Sequence, residues 1–452
     1  MDESELLPRN RCREIFAAAQ SAARSAGVND LELLLTSTRD SLTRFANNCI
    51  HQNVSERQST ISVRAAVDGR TARSSTNRLD REGIETAVAE AVALTRASQP
   101  LADLPPMYGD LDESVHSRFS QEAAACTPEA RAAAVAEAIR LVESEGQTAA
   151  GIYSTAANVE ALMNSRGVFR YYFDTLTQFS ITAMAADSSG WAKASSAVHD
   201  EVRPAELARQ AARKAAQSRA PRVVQPGPYT VVLEPAAVLD LVGQIFGDFS
   251  ATAIADQRSF LNERIGERVF SPLISIYDDV HFPLQTGAPF DGEGVPRRPL
   301  TLVKAGVPRE IAWSRTAAAK AGVEPTGHGF PLPNEAGEAP VNIVIAGGSS
   351  SLDELIASTE KGILITRLWY IREVEPYEKV LTGMTRDGTF LIEGGEVVAG
   401  IRNMRFNQSV VELLQNVEAL SPAVRASGEE AFDMAAPAMK VRDFQFTEVT
   451  KF

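Results

Sequence analysis

Hydrolytic chemistry in proteins is built from histidines, cysteines or activated serines at short spacings. The histidines here are His51, His116, His199, His281 and His328, and none is followed by glutamate. No two of them fall within helical spacing of each other. A zinc site on one helix needs two ligands on one face and a general base beside them. This chain does not supply that set, so no catalytic residue and no metal ligand is assigned. The cysteines, Cys12, Cys49 and Cys126, are odd in number and far apart. That argues against a metal knuckle and against a disulfide framework. There is no Gly-x-Ser-x-Gly elbow. Cys49 and His51 would share one face of a strand. A Cys/His pair is the sharper reading of them; a sheet residue beside a polar neighbour is the preferred one.

Three glycine-containing patches offer backbone chemistry instead. In IVIAGGSSSLDELI, residues 343–356, a strand runs into Gly347-Gly348 and a helix begins after Ser351. Ser351 and Glu354 form a capping box. Amides at such a helix start can hold a carboxylate or phosphate. The Lys of a Walker loop is missing, and a plain strand-to-helix turn is preferred. Asp291-Gly292-Glu293-Gly294 and Thr326-Gly327-His328-Gly329 read as tight turns, where glycine supplies backbone freedom. Either turn can place a side chain at a cleft.

The elements that would carry these patches follow from periodicity. Residues 13–26 read as an Ala-rich helix ending at Gly27, and 31–35 as a short strand. Residues 43–73 alternate: Ile61, Val63 and Ala65 share one face, with a tight turn at Asp68-Gly69. Asp80 caps a helix with a stripe at Ile84, Val88, Ala91 and Val92. A Pro-rich loop, LADLPPMYGD, follows. Thr127-Pro128 opens another helix. Strands are expected at 149–157 and 167–185, and a helix at 204–218. The segment APRVVQPGP, 220–228, reads as a linker. Beyond it strands dominate, at 229–233, 273–277, 300–304, 341–345, 363–370 and 389–393, with one helix at 238–249. The expectation is an α+β chain: an N-terminal domain, 1–222, of antiparallel sheet with helices, and a mostly-β C-terminal domain, 223–452.

Bulk properties narrow the function classes. The length of 452 residues suggests two or three domains. A net charge of -13 argues against a surface that neutralises nucleic-acid phosphates, so no direct nucleic-acid partner is expected. The N-terminal stretch MDESELLPRNRCREIF is charged and reads as no signal peptide. No apolar run approaches the roughly 20 residues of a membrane span. A cytoplasmic protein with no membrane partner is expected.

Six patches in order carry a family resemblance. FDGEGVPRRPLTLVKAGV, 290–307, resembles the Asp-x-Glu-Gly-x-Pro stretch of the TldD/PmbA family. RSFLNERIGERVFSPLISIYDD lies upstream; EPTGHG, IVIAGGSSSLDELIASTEKGILIT and GTFLIEGGEVVAGIRNMRF lie downstream. HQNVSERQSTISVRAAVDGRTARSSTN is similar to that family's first strands. The resemblance implies two domains and dimers enclosing a chamber. It also implies that TldD-type chains carry a His-Glu-x-x-x-His helix and a C-terminal cysteine as zinc ligands, and that TldE/PmbA-type chains lack them. The helix after VVLEP reads AAVLDLVGQIFGDF here, without histidine, and the C-terminal region has no cysteine. The resemblance therefore implies a non-catalytic TldE/PmbA-type subunit of a metallopeptidase complex. Its partner would be a TldD-like catalytic chain or a second copy, its substrate a peptide, and zinc would sit in the partner. The chamber candidates are Asp291, Glu293, His328 and Arg367. Two other readings stand beside it. One is a stand-alone hydrolase using Cys49/His51 or the serines at 349–351. The other is a regulatory binding protein of gyrase-modulator type.

Overall fold

The computed structural model describes residues 6–109 and 113–450. The first five residues of the N-terminal stretch and Asp110 of the Pro-rich loop fall outside it. The N-terminal half carries helices α1 (Arg9–Ser25), α2 (Arg81–Ala97), α3 (Gln121–Ala125), α4 (Pro128–Glu143) and α5 (Pro204–Gln217). Its strands are β1 (Asp30–Ala46), β2 (Cys49–Val67), β3 (Arg70–Thr76), β4 (Glu113–Arg118), β5 (Thr148–Asn164), β6 (Phe169–Met184) and β7 (Ser189–Ser196). They form one sheet in the order β3-β2-β1-β5-β6-β4, with β7 also on β6. Only β4 runs parallel to its neighbour.

Alternation sends the two faces of this sheet to different neighbours. Leu31, Leu33 and Leu35 of β1 pack with Ile15 and Ala19 of α1 and Ile84 and Val88 of α2. Farther along, Phe45, Phe179 and Ile181 pack under α4 and α5. The other face turns Leu162 and Tyr172 against Ala288 and Phe290 of the C-terminal half. It also buries Glu32, which takes Arg64 at 3.1 Å and Arg73 at 2.8 Å. Burying a charge is tolerated only when it is paired in this way.

The C-terminal half carries α6 (Pro235–Val242), α7 (Ala251–Ala255), α8 (Arg315–Ala321), α9 (Leu352–Ala357) and α10 (Val410–Gln415). Its strands are β8 (Gly227–Leu233), β9 (Ile276–Asp278), β10 (Leu300–Lys304), β11 (Val307–Pro308), β12 (Ile343–Ile345), β13 (Lys361–Glu375), β14 (Val380–Glu393), β15 (Glu396–Gly400), β16 (Met404–Ser409), β17 (Val417–Leu420), β18 (Val424–Ala426), β19 (Met434–Ala436) and β20 (Met439–Val449). One open sheet runs β11-β10-β9-β12-β19-β18. The other runs β13-β8-β20-β16-β14, and β14 pairs back onto β13, so these five strands close into a barrel. Closure removes free strand edges. Phe406, Phe444 and Phe446 are buried and pack together, with ring centroids 5.4 and 5.0 Å apart along the series.

The chain is α+β, with helices on an antiparallel sheet in the first half and mixed sheets in the second. Several boundaries differ from expectation. The strand expected at 31–35 runs from Asp30 to Ala46, because its polar distal part pairs in a long hairpin with β2. That hairpin turns at Asn47-Asn48, both at positive φ, a conformation asparagine tolerates. The strand expected at 273–277 shrinks to Ile276–Asp278. The helix expected at 238–249 starts earlier, at Pro235, and tightens to a 3-10 turn over Gly243–Asp248.

Candidate functional site

The turn at Asp291 is built around one carboxylate. Asp291 Oδ1 accepts from the amides of Glu293 (2.9 Å) and Val295 (3.0 Å), and Oδ2 accepts from Gly329 (2.8 Å). The two glycine-containing turns are thereby stapled together, and Gly294 takes the positive φ of 84° that closes the first. Burial pushes the Asp291 carboxyl above its usual range, against the pull of Arg297 and these amides. Gly329 leaves no room for a side chain, since a Cβ there would strike Glu293.

Glu293 is buried in the same knot. Its Oε1 accepts from the Arg315 amide at 3.2 Å, and Oε2 lies 3.7 Å from the Arg315 guanidinium. Neither Glu293 Oε2 nor Arg315 Nη1 makes a hydrogen bond within the chain. Burial first, and the Asp291 charge second, push the Glu293 carboxyl up to about 7. His328 lies one residue from Gly329. Its Nε2 is 3.0 Å from Asp278 Oδ1 and its Nδ1 is 2.9 Å from Thr326 Oγ1. Asp278 also accepts the amides of Val341 and Asn342. Burial opposes ionisation of Asp278, but His328 and the Asn342 amide outweigh it and hold the carboxyl below its ordinary value. The Asp-His-Thr order resembles a catalytic relay. Thr326, however, is fully buried and bonded to Trp313, so its hydroxyl meets no substrate.

Arg367 stands apart from this knot. From β13 it bonds Asp387 of β14, and its guanidinium lies 4.9 Å from the Trp191 ring and 5.6 Å from the Trp369 ring. Ser189 of the N-terminal sheet donates to the other Asp387 oxygen at 2.7 Å. Beside this pair, Asp187, Ser189, Asp387, Thr389 and Asn403 line a cleft of about 690 Å³ between the two halves. Asp291, Glu293, His328 and Arg367 are thus all buried, with polar atoms turned to their own chain. The structure brings the first three together and leaves the fourth elsewhere.

Two other candidates resolve into structure. Gly347 and Gly348 lie against the backbone at 420–423, and the Gly348 amide bonds Ser421. The capping box at Ser351 and Glu354 forms. Cys49 and His51 lie exposed near the tip of the β1–β2 hairpin.

The residue that motif searching passed over is Asp240. It sits mid-way along α6 among Val238, Leu239, Leu241 and Val242, and is fully buried. Its Oδ1 accepts the amides of Glu429 (3.2 Å) and Glu430 (3.1 Å), and Oδ2 that of Leu368 (3.3 Å). Burial raises its carboxyl to about 6, against those amides and Arg367. Gln244 adds a bond to the Glu430 carbonyl, and Lys193 from β7 holds the Gly428 carbonyl at 2.6 Å. A lone acid inside an otherwise apolar helix was the available signal; its partners lie too far along the chain to be seen from it.

Three family descriptions match in order: PmbA/TldA metallopeptidase domain 1 at 31–95, the central domain at 118–219 and the C-terminal domain at 226–448. The chain belongs to the TldD/PmbA family. Its relatives include a metalloprotease of Methanothermobacter thermautotrophicus, 24% identical over 60% of this chain and 62% of that one. A metalloprotease TldD homolog of Haemophilus influenzae is 28% identical over 49% of this chain and 46% of that one. The matches thus span about half to three fifths of these relatives' lengths. Among solved structures, TldE from Thermococcus kodakarensis superposes with a TM-score of 0.85 at 20% identity, covering 95% of this chain and all of that one. A candidate modulator of a DNA gyrase from Thermotoga maritima gives 0.84 at 21%, covering 96% of this chain and all of that one. Both share the fold.

A metallopeptidase family implies a metal, and the donors of α6 do not fit one. Both Asp240 oxygens are occupied by amides. A Cβ at Gly428 would strike Asp240, so the 428–430 loop sits directly on the carboxylate. Ile245 and Phe246, next along the chain, are buried apolar residues. Among the described residues no three His, Cys, Asp or Glu side chains stand close enough to hold an ion. Nor, among them, is any helix long and apolar enough to cross a membrane.

Proposed function

We propose that this chain is the non-catalytic, TldE/PmbA-type subunit of a cytoplasmic TldD/TldE-type metallopeptidase complex that processes unfolded peptides. The observation that carries the reading is the Asp240 carboxylate closed over by the amides of Leu368, Glu429 and Glu430. Metal-assisted hydrolysis needs a bound water whose pKa is lowered toward neutrality, on an ion with an open position. Here the equivalent ground is a closed hydrogen-bond knot. What the chain contributes is wall and shape: an ordered scaffold and a polar cleft between its halves. The zinc belongs to the TldD-type partner, and the substrate is peptide.

The test is peptidase activity on an unstructured peptide, with bound zinc quantified in the same samples. The chain alone is expected to show neither. Mixed with a TldD-type chain from the same organism, it should give chelator-sensitive cleavage faster than that partner alone. Cleavage by this chain alone overturns the reading.

A further inference from the structure

One pocket of this acidic chain is lined by arginine and by no acid. It lies in the N-terminal half, where β1, β2 and β5 meet α3 and the first turn of α4, and its volume is about 470 Å³. Its charged lining residues are Arg39 and Arg131; among the described residues no Asp or Glu lines it. The whole chain carries a net charge of -13, so this local balance runs against the composition.

Arg131 is the anomaly. It projects from α4 and is 1% exposed. Its Nη1 donates to the Cys126 carbonyl at 2.9 Å. Its other contacts, Thr155 at 3.5 Å and Asn53 at 3.4 Å, lie at the outer limit of a hydrogen bond, and its Nε has none. Among the described residues no carboxylate pairs with it. Glu129, two residues earlier, is exposed and bonds Thr127 at the helix cap instead. Arg64, equally buried in the same sheet, has Glu32 at 3.1 Å. A buried guanidinium without such a counter-charge is costly.

A second observation points the same way. The β1–β2 register sets Arg39 directly opposite Arg57. Like charges in facing positions repel. Alternation puts both on the face that carries Ser41 and Ser55. Those two hydroxyls bond each other at 2.9 Å, which leaves one of their hydrogens to donate elsewhere. The N-terminal residues of α4, Thr127 and Pro128, border the same space, so the positive end of the helix dipole adds to the field.

We propose that this pocket binds a phosphate group, free or as the monoester of a small molecule. Arginines and hydroxyls from four elements offer more donors than the two oxygens of a carboxylate accept. A phosphate brings three oxygens and nearly two negative charges at neutral pH. The site is separate from the cleft beside Asp387 and does not rest on the peptidase reading.

Titration calorimetry of the intact protein tests this with inorganic phosphate and with glycerol phosphate, at pH 7.5 and at ionic strength matched with chloride. One phosphate per chain is expected to bind, and the tighter of the two probes names the source. Arg131→Gln should weaken binding at least about tenfold. Ser55→Glu, at an exposed position that keeps the fold, supplies a carboxylate of its own and should abolish binding. Arg44→Gln, on the opposite face of the hairpin, should leave it unchanged. Should the Arg131 variant fail to fold, the Ser55 variant still decides. The proposal is overturned if neither probe binds, if acetate binds as tightly as phosphate, or if Ser55→Glu binds phosphate like the parent.

Discussion

Asp240 and Glu293 are both buried carboxylates raised above their ordinary range, yet they are held in opposite ways. Asp240 is enclosed by three backbone amides and fixes a loop. Glu293 keeps one oxygen without a hydrogen bond, 3.7 Å from Arg315. Amide donors at fixed positions suit a carboxylate oxygen and no other group of that size. A cation held at a distance accepts a neutral replacement. The difference teaches that burial alone does not identify a stabilising charge; the partners do.

Substitution separates the two cases. Asp240→Asn turns an amide group toward backbone N–H donors and leaves at least one of them unpaired. A loss of about 2–3 kcal/mol is expected in denaturant unfolding, with earlier proteolysis of the 428–430 loop. Glu293→Gln should do the reverse. Between its ordinary value of 4.5 and about 7, the folded protein holds more protons on Glu293 than the unfolded chain does. Stability therefore falls as pH rises through that window, and the loss is complete above it. The Gln variant should match the parent near pH 4 and exceed it at pH 8 by roughly 1–2 kcal/mol, after discount for the Arg315 attraction it forgoes. A variant less stable at both pH values would erase the contrast.

A third carboxylate sharpens the comparison at smaller scale. Asp387 faces the Arg367 guanidinium, itself set between Trp191 and Trp369. Arg367→Lys keeps the charge but loses the planar fork and the ring contacts, so a loss of about 1 kcal/mol is expected in the same unfolding assay. An unchanged midpoint would mean that charge alone holds this pair.

Local chemistry was the legible part of the sequence. Asp80, Thr127-Pro128 and the Ser351/Glu354 box sit where their side chains bond amides three residues on. The pairing of Asp291 with its neighbours was legible only as a turn. The β-barrel was not legible, because β8 and β20 meet across two hundred residues and no local period records that. The hairpin arm at 36–60 was partly missed because its outer half is polar on both faces, so alternation fades where no core is buried. Asp240 was seen as one letter in an apolar helix; the loop that explains it arrives nearly two hundred residues later.

That separation along the chain has a consequence for synthesis. In the barrel, Leu233 of β8 pairs with Met439 of β20, and Phe446 with Gly227. The second half cannot seal its barrel until β20 has left the ribosome. The N-terminal sheet has all of its strands by Ser196. Translation thus delivers a nearly finished first half carrying a long unsealed second half, and the nascent chain stays exposed to misassembly until β20 is made.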